Sequence, residues 1–160
     1  MKKLELRFTL DTYSTKKELP ADEAALLESA RAALKKAYAP YSGFKVGAAA
    51  LLENGEILTG TNQENASFPA GICAEGTVFS AAASLFPDVA IRKLAITVKA
   101  NSHVVDHPVA PCGICRQRIL EHENRFKKPV RIIIMGEKGS VFAMDSVKVI
   151  LPLYFSKSDL

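Results

Sequence analysis

The chain has 160 residues, of which 48% are apolar and 24% charged. That balance argues against disorder for the bulk of the chain, and the length suits one globular domain, residues 1–160, that needs no disulfide staples. The net charge of +4 is scattered over lysine pairs (Lys2-Lys3, Lys16-Lys17, Lys35-Lys36, Lys127-Lys128), which read as solvated faces and argue against a nucleic-acid or membrane surface as partner.

Leu4, Leu6, Phe8 and Leu10 alternate with polar residues and predict a first strand, with Thr12 to Leu19 as a polar connector. Pro20-Ala21-Asp22-Glu23 opens a helix whose apolar residues, Leu26, Leu27, Ala30, Leu34 and Ala37, recur at helical spacing until Pro40. Lys45 to Glu53 and Glu56 to Thr61 predict a hairpin about Asn54-Gly55. After a loop from Asn62 to Ile72, the alanine-rich Cys73 to Phe86 predicts a second helix. Ile91 to Lys99 predicts a strand, Gly113 to Glu123 a third helix, and Val130 to Met135 and Ser140 to Met144 two more strands. Ser146 to Leu151 reads as a final helical turn. This order predicts an α/β fold, a mixed sheet with helices on both faces and its chemistry at strand ends and helix starts.

Three cysteines cannot pair completely, so a secreted disulfide scaffold is disfavoured. Glu5 and Arg7 interrupt any signal-peptide core, and no apolar run approaches the ~20 residues of a membrane span, so the expectation is a cytoplasmic protein. Cys112 and Cys115 form Pro111-Cys112-Gly113-Ile114-Cys115 at a helix start, where positions three apart share a face and free N–H groups favour thiolates. The third cysteine stands in Cys73-Ala74-Glu75. Inert buried thiols and a redox dithiol both leave part of this pattern unused. Three thiolates on zinc use all of it and leave a fourth position for water, the mark of a catalytic rather than a structural site. Glu75, two residues after a ligand, then serves as general base and acid toward that water. Asn62 and Glu64 share one face of a strand-end loop, and an amide beside a carboxylate suits a diol; alone, Asn62 reads rather as a turn cap and Phe44 rather as a core residue, and only the company of the cysteine motifs reverses this.

The pairing of Cys73-Ala74-Glu75 with Pro111-Cys112-Gly113-Ile114-Cys115-Arg116-Gln117 resembles the small, three-cysteine, zinc-dependent cytidine deaminases. The resemblance extends to Pro40-Tyr41-Ser42-Gly43-Phe44-Lys45-Val46-Gly47-Ala48-Ala49, to Gly60-Thr61-Asn62-Gln63-Glu64-Asn65-Ala66-Ser67-Phe68 and to the tail Leu151-Pro152-Leu153-Tyr154-Phe155. It leaves residues 1–20 as a poorly matched extension. It implies a three-layer α/β/α sandwich with about five strands, and hydrolysis of cytidine and 2′-deoxycytidine to the uridines and ammonia in pyrimidine salvage. It further implies one Zn²⁺ per chain on Cys73, Cys112 and Cys115, with Glu75 as proton shuttle. Asn62 and Glu64 would bind the ribose, Phe44 would pack on the nucleoside, and the Ala74 N–H would read the base carbonyl. Phe155 would reach the site from a neighbouring subunit of a homotetramer.

The chain departs from that pattern at Gly76, where the family usually carries an arginine that donates to a thiolate. Arg116, beside Cys115, is the expected substitute. Three other readings keep a place: a deaminase of a modified cytosine nucleoside such as a blasticidin-type antibiotic, a nucleic-acid-editing deaminase, and a non-catalytic zinc module in which His103 or His107 closes the coordination.

Overall fold

The computed structural model describes residues 1–160. The first strand, β1, is the short Asp11–Tyr13, and a 3-10 turn at Lys16–Glu18 leads into α1 (Ala21–Ala33). Then come β2 (Phe44–Leu52), β3 (Ile57–Thr61), α2 (Ala74–Leu85), β4 (Ile91–Ala100), α3 (Gly113–Phe126), β5 (Arg131–Met135) and β6 (Val141–Met144).

The strands form one six-stranded sheet in the order β1-β6-β5-β4-β2-β3. Every neighbouring pair is antiparallel except β4–β5, which α3 joins as a crossover. The β2–β3 hairpin turns at Asn54-Gly55, where Gly55 has φ +88° and the Asn54 Oδ1 accepts from the Glu56 N–H. The strand period of two sorts the core into layers. Ala48, Ala50, Leu94, Ile96, Ile132 and Ile134 join Val78 and Phe79 of α2 and Ile119 and Leu120 of α3. Their neighbours Ala49, Ala95, Ile133 and Met135 join Leu26, Leu27 and Ala30 of α1. With both faces covered, β2, β4 and β5 read as nearly continuous apolar runs. The result is the three-layer α/β/α arrangement that the sequence implied.

One close approach sets the position of α2. A Cβ at Gly60 in β3 would stand 2.7 Å from both the Ala74 carbonyl oxygen and Val78 Cγ2, so glycine there lets the first turn of α2 lie against the strand.

Two expectations need correction. Leu4 to Leu10 forms no strand, and Leu4, Leu6 and Phe8 are exposed. An alternating pattern holds a strand only where one face finds a core, and none lies beneath these residues. The strand instead forms on the predicted connector, where Asp11 pairs with Ala143 and Tyr13 with Val141, and Arg131 anchors Asp11 at 2.7 Å. That added edge strand makes the sheet six-stranded rather than about five-stranded. The final helical turn is the 3-10 turn Val147–Val149, whose Ser146 side chain accepts from the Lys148 N–H.

Buried Glu123 ties α3 to the segments that follow it. Its Oε1 accepts from the backbone N–H of Val130 at 3.0 Å and of Val147 at 3.1 Å, and its Oε2 from the Ser146 hydroxyl at 2.7 Å. Glu123→Ala leaves these donors unpaired and is expected to cost about 3 kcal/mol, read as a lowered urea midpoint. Nearby, the His122 ring packs edge-on to Phe79, and its Nε2 accepts from the Ile91 N–H at 2.9 Å. Burial, then the charge of Arg125, lowers His122 to about 4. The folded chain keeps this ring neutral while the unfolded chain protonates it near 6.5, so stability is whole above about pH 6.5 and falls as pH drops toward 4. His122→Gln should flatten the change in urea midpoint between pH 6.5 and 5.

Candidate active site

β3 and β4 are both antiparallel to β2 and so run the same way. The helices that follow them, α2 and α3, therefore start at one end of the sheet. Cys73 is the N-cap of α2 and Cys112 the N-cap of α3, both with extended backbone and neither making a side-chain cap hydrogen bond. Each cap carbonyl accepts the first helical hydrogen bond, from Thr77 N–H at 3.0 Å and from Arg116 N–H at 2.9 Å. The free N–H groups of two first turns are thus gathered where the sulfurs meet.

The Sγ atoms of Cys73 and Cys112 are 4.0 Å apart, and those of Cys73, Cys112 and Cys115 all lie within 4.8 Å of one another. Zinc held tetrahedrally at about 2.3 Å from each sulfur sets its ligands about 3.8 Å apart, so the trio fits such an ion. No disulfide joins them. The neighbouring Cys115 thiol lowers Cys73 to about 6, while the same proximity and burial raise Cys115. His103 bonds to Ser102 and His107 to Asp106, both exposed and outside the sulfur group.

Beside the trio lies a cleft of about 370 Å³ lined by Phe44, Asn62, Glu64, Cys73, Glu75 and Cys112, with Ile96 and Val98 among its apolar walls. Glu75 is 5% exposed, and burial raises its carboxyl above the ordinary carboxylate range. Glu64 shifts the other way. The Ser42 hydroxyl and the N–H groups of Tyr41 (2.8 Å) and Ser42 (3.3 Å) all donate to it and hold it ionised. The Asn62 side chain braces the cleft wall, accepting from the Val46 N–H and donating to the Phe44 carbonyl, each at 2.8 Å. Ala74 is fully buried in the first turn of α2.

Two further residues lie outside this chain's cleft, Phe155 having been expected to serve a neighbouring subunit. Phe155 is 60% exposed and lines a groove with Ile114, Gln117 and Phe79 on the outer side of α2 and α3, away from its own chain's cleft. Arg116 turns from the sulfurs: its Nε donates to the Pro111 carbonyl at 2.7 Å and its Nη1 to the Ile150 carbonyl at 2.6 Å. Sequence reasoning missed Ser42, which orients Glu64, and Arg118, whose charge favours the ionised forms of Cys73 and Glu75. Helical spacing from Cys115 was the available signal for Arg118, and the Pro-Tyr-Ser-Gly turn the signal for Ser42.

A sequence profile of the cytidine and deoxycytidylate deaminase zinc-binding region matches residues 20–130. A cytidine deaminase of Sporosarcina psychrophila is 38% identical over 139 residues, covering 87% of this chain and 95% of its own. The crystal structure of cytidine deaminase from Burkholderia pseudomallei superposes with a TM-score of 0.69 at 36% identity, over 82% of this chain and 97% of that one. That of Mycobacterium tuberculosis superposes at 0.66 with 33% identity, over 86% of this chain and 99% of that one. Ser42→Ala should bring the Glu64 carboxyl back up toward the ordinary carboxylate range, as read by an NMR pH titration.

Proposed function

Because the chain belongs to the family of cytidine and deoxycytidylate deaminases, we propose a catalytic centre in which Cys73, Cys112 and Cys115 hold one zinc ion and Glu75 moves the protons. The protein is a zinc-dependent hydrolytic enzyme that deaminates cytidine. The observation that carries the assignment of residues is the sulfur trio at two helix starts with buried Glu75 in the cleft beside it.

The reaction is cytidine plus water to uridine plus ammonia, and 2′-deoxycytidine is taken likewise. When bound, zinc supplies the Lewis acidity that makes water a nucleophile near neutral pH. Glu75 takes the proton that water gives up and delivers it to ring N3, which makes C4 more electrophilic. Once oxygen has added at C4, the same carboxyl carries a second proton to the departing amine, and the C4–N bond breaks. Its burial suits this work, because a carboxyl held above the ordinary carboxylate range is the better proton acceptor.

The other contacts follow from the cleft. Glu64, ionised and exposed, accepts from the ribose hydroxyls, and the Asn62 Nδ2 has a second hydrogen for the same sugar beyond the one given to Phe44. Phe44 packs on the nucleoside, and the Ala74 N–H in the first turn of α2 meets the base carbonyl. Arg116 fixes the start of α3 through Pro111 and the tail through Ile150. The exposed Phe155, remote from its own cleft, favours a homotetramer in which a neighbouring subunit's tail covers the base. The unpaired thiols suit the reducing cytoplasm, and no helix is long and apolar enough to cross a membrane. All 160 residues act as one domain in this reading, with residues 1–20 as its extension.

Ammonia release from cytidine and deoxycytidine, measured on zinc-quantified protein, tests the scheme. Glu75→Ala is expected to keep one zinc per chain and lose turnover by roughly 10²–10⁴-fold. Chelation of the metal should abolish activity, and added zinc should restore it. Near-normal turnover in Glu75→Ala would overturn the role of Glu75. Zinc at one per chain with no turnover on either nucleoside would redirect the search to modified cytosine nucleosides.

A further inference from the structure

We propose that Arg118 is the positioning cation of the three-cysteine centre, its guanidinium seated in the space that Gly76 leaves open in the first turn of α2. The inference rests on the zinc reading above and extends it to residues that reading does not use.

Helical spacing places the pair. Gly76 follows Cys73 by three residues and Arg118 follows Cys115 by three, so each lies on the face of its helix that carries a ligand sulfur. The two positions meet across the seam between α2 and α3. A Cβ built on Gly76 would stand 2.1 Å from Arg118 Nη1 and 3.3 Å from its Cζ, so the guanidinium occupies the volume that any other residue at 76 would fill. Glycine weakens a helix, and Gly76 is buried in α2, where its lack of a side chain makes room for this group.

No ion pair claims the charge elsewhere. No carboxylate pairs with Arg118, whereas Arg131 binds Asp11 and Asp145, Arg125 donates to the Pro87 carbonyl and Arg116 to two carbonyls. Three thiolates around a divalent zinc carry a formal charge of about −1, which weakens the metal as a Lewis acid and invites its loss. Arg118 is half-buried and one helical turn from Cys115, its guanidinium lies against Gly76, one turn from Cys73, and from there it offsets that charge. The arginine arrives from α3 rather than from the residue after Glu75, and Gly76 is the opening through which it reaches.

The test follows zinc release from the purified holoprotein to a chromogenic chelator at fixed pH, with thermal melts confirming that each variant is folded. Arg118→Met keeps most of the side chain's reach without its charge and is expected to speed release about tenfold or more, the usual effect of removing a partner of a metal ligand. Arg118→Lys should release zinc close to the native rate. Gly76→Ala favours the helix yet expels the guanidinium, and it should release zinc faster, as Arg118→Met does. Native release rates in both Arg118→Met and Gly76→Ala would overturn the proposal. So would equally fast release from Met and Lys, which would assign the effect to shape rather than charge. A native protein that purifies and reconstitutes without zinc would instead sink the zinc reading itself, so the two failures are separable.

Discussion

The convergence of two helix starts governs this molecule. α2 and α3 must begin side by side, because three sulfurs within 4.8 Å cannot be supplied by one helix with Cys73 so far from Cys112 in sequence. The direction of the strands achieves this. β3 and β4 flank β2 and run opposite to it, so the chain leaves both at the same end of the sheet before turning into a helix. Apolar packing then sets the separation: Val78 and Phe79 on one helix and Ile119 and Leu120 on the other rest on the same sheet face. Gly60 brings α2 down onto β3, and buried Glu123 fixes the far end of α3.

Two carboxylates near this centre show how environment divides their labour. Glu75 is walled off from water, so its neutral form is favoured. Glu64 sits at the cleft rim, where a hydroxyl and two backbone N–H groups favour the ion. One group is suited to cycling a proton and the other to standing as a fixed acceptor. Ser42 ties the rim to the start of β2, since it donates to Glu64 while its hydroxyl accepts from the Phe44 N–H.

The parts legible in the sequence were those with strong local physics. Asn54-Gly55 marks its hairpin because a tight turn needs positive φ, and Pro20 with its following acids marks the start of α1. The second cysteine motif was legible because short spacing on a helix places Cys112 and Cys115 on one face, and the fold brings Cys73 beside them. The edge of the sheet was less legible: Leu4, Leu6 and Phe8 have strand alternation and no core to meet, while Asp11–Tyr13 lacks the pattern and pairs because β6 offers it a free edge. Arg116 and Arg118 illustrate the same limit. Adjacency to Cys115 made Arg116 look like the compensating charge, but helical geometry turns it toward Pro111 and Ile150, and the residue two further on faces α2.

The path of the chain between the two capping cysteines gives the metal a mechanical part as well. Cys73 and Cys112 are 39 residues apart, and that interval contains α2 and all of β4, a central strand covered on both sides. An ion bridging them closes a loop of this size much as a covalent cross-link would, and such closure removes conformational freedom from the unfolded chain. The knot is tied around β4, the strand that touches both β2 and β5 and so joins the two halves of the sheet. With Cys73 and Cys112 as ligands, the free energy of metal binding would be delivered to the cooperative unfolding of the whole sheet and not to fraying at its edges.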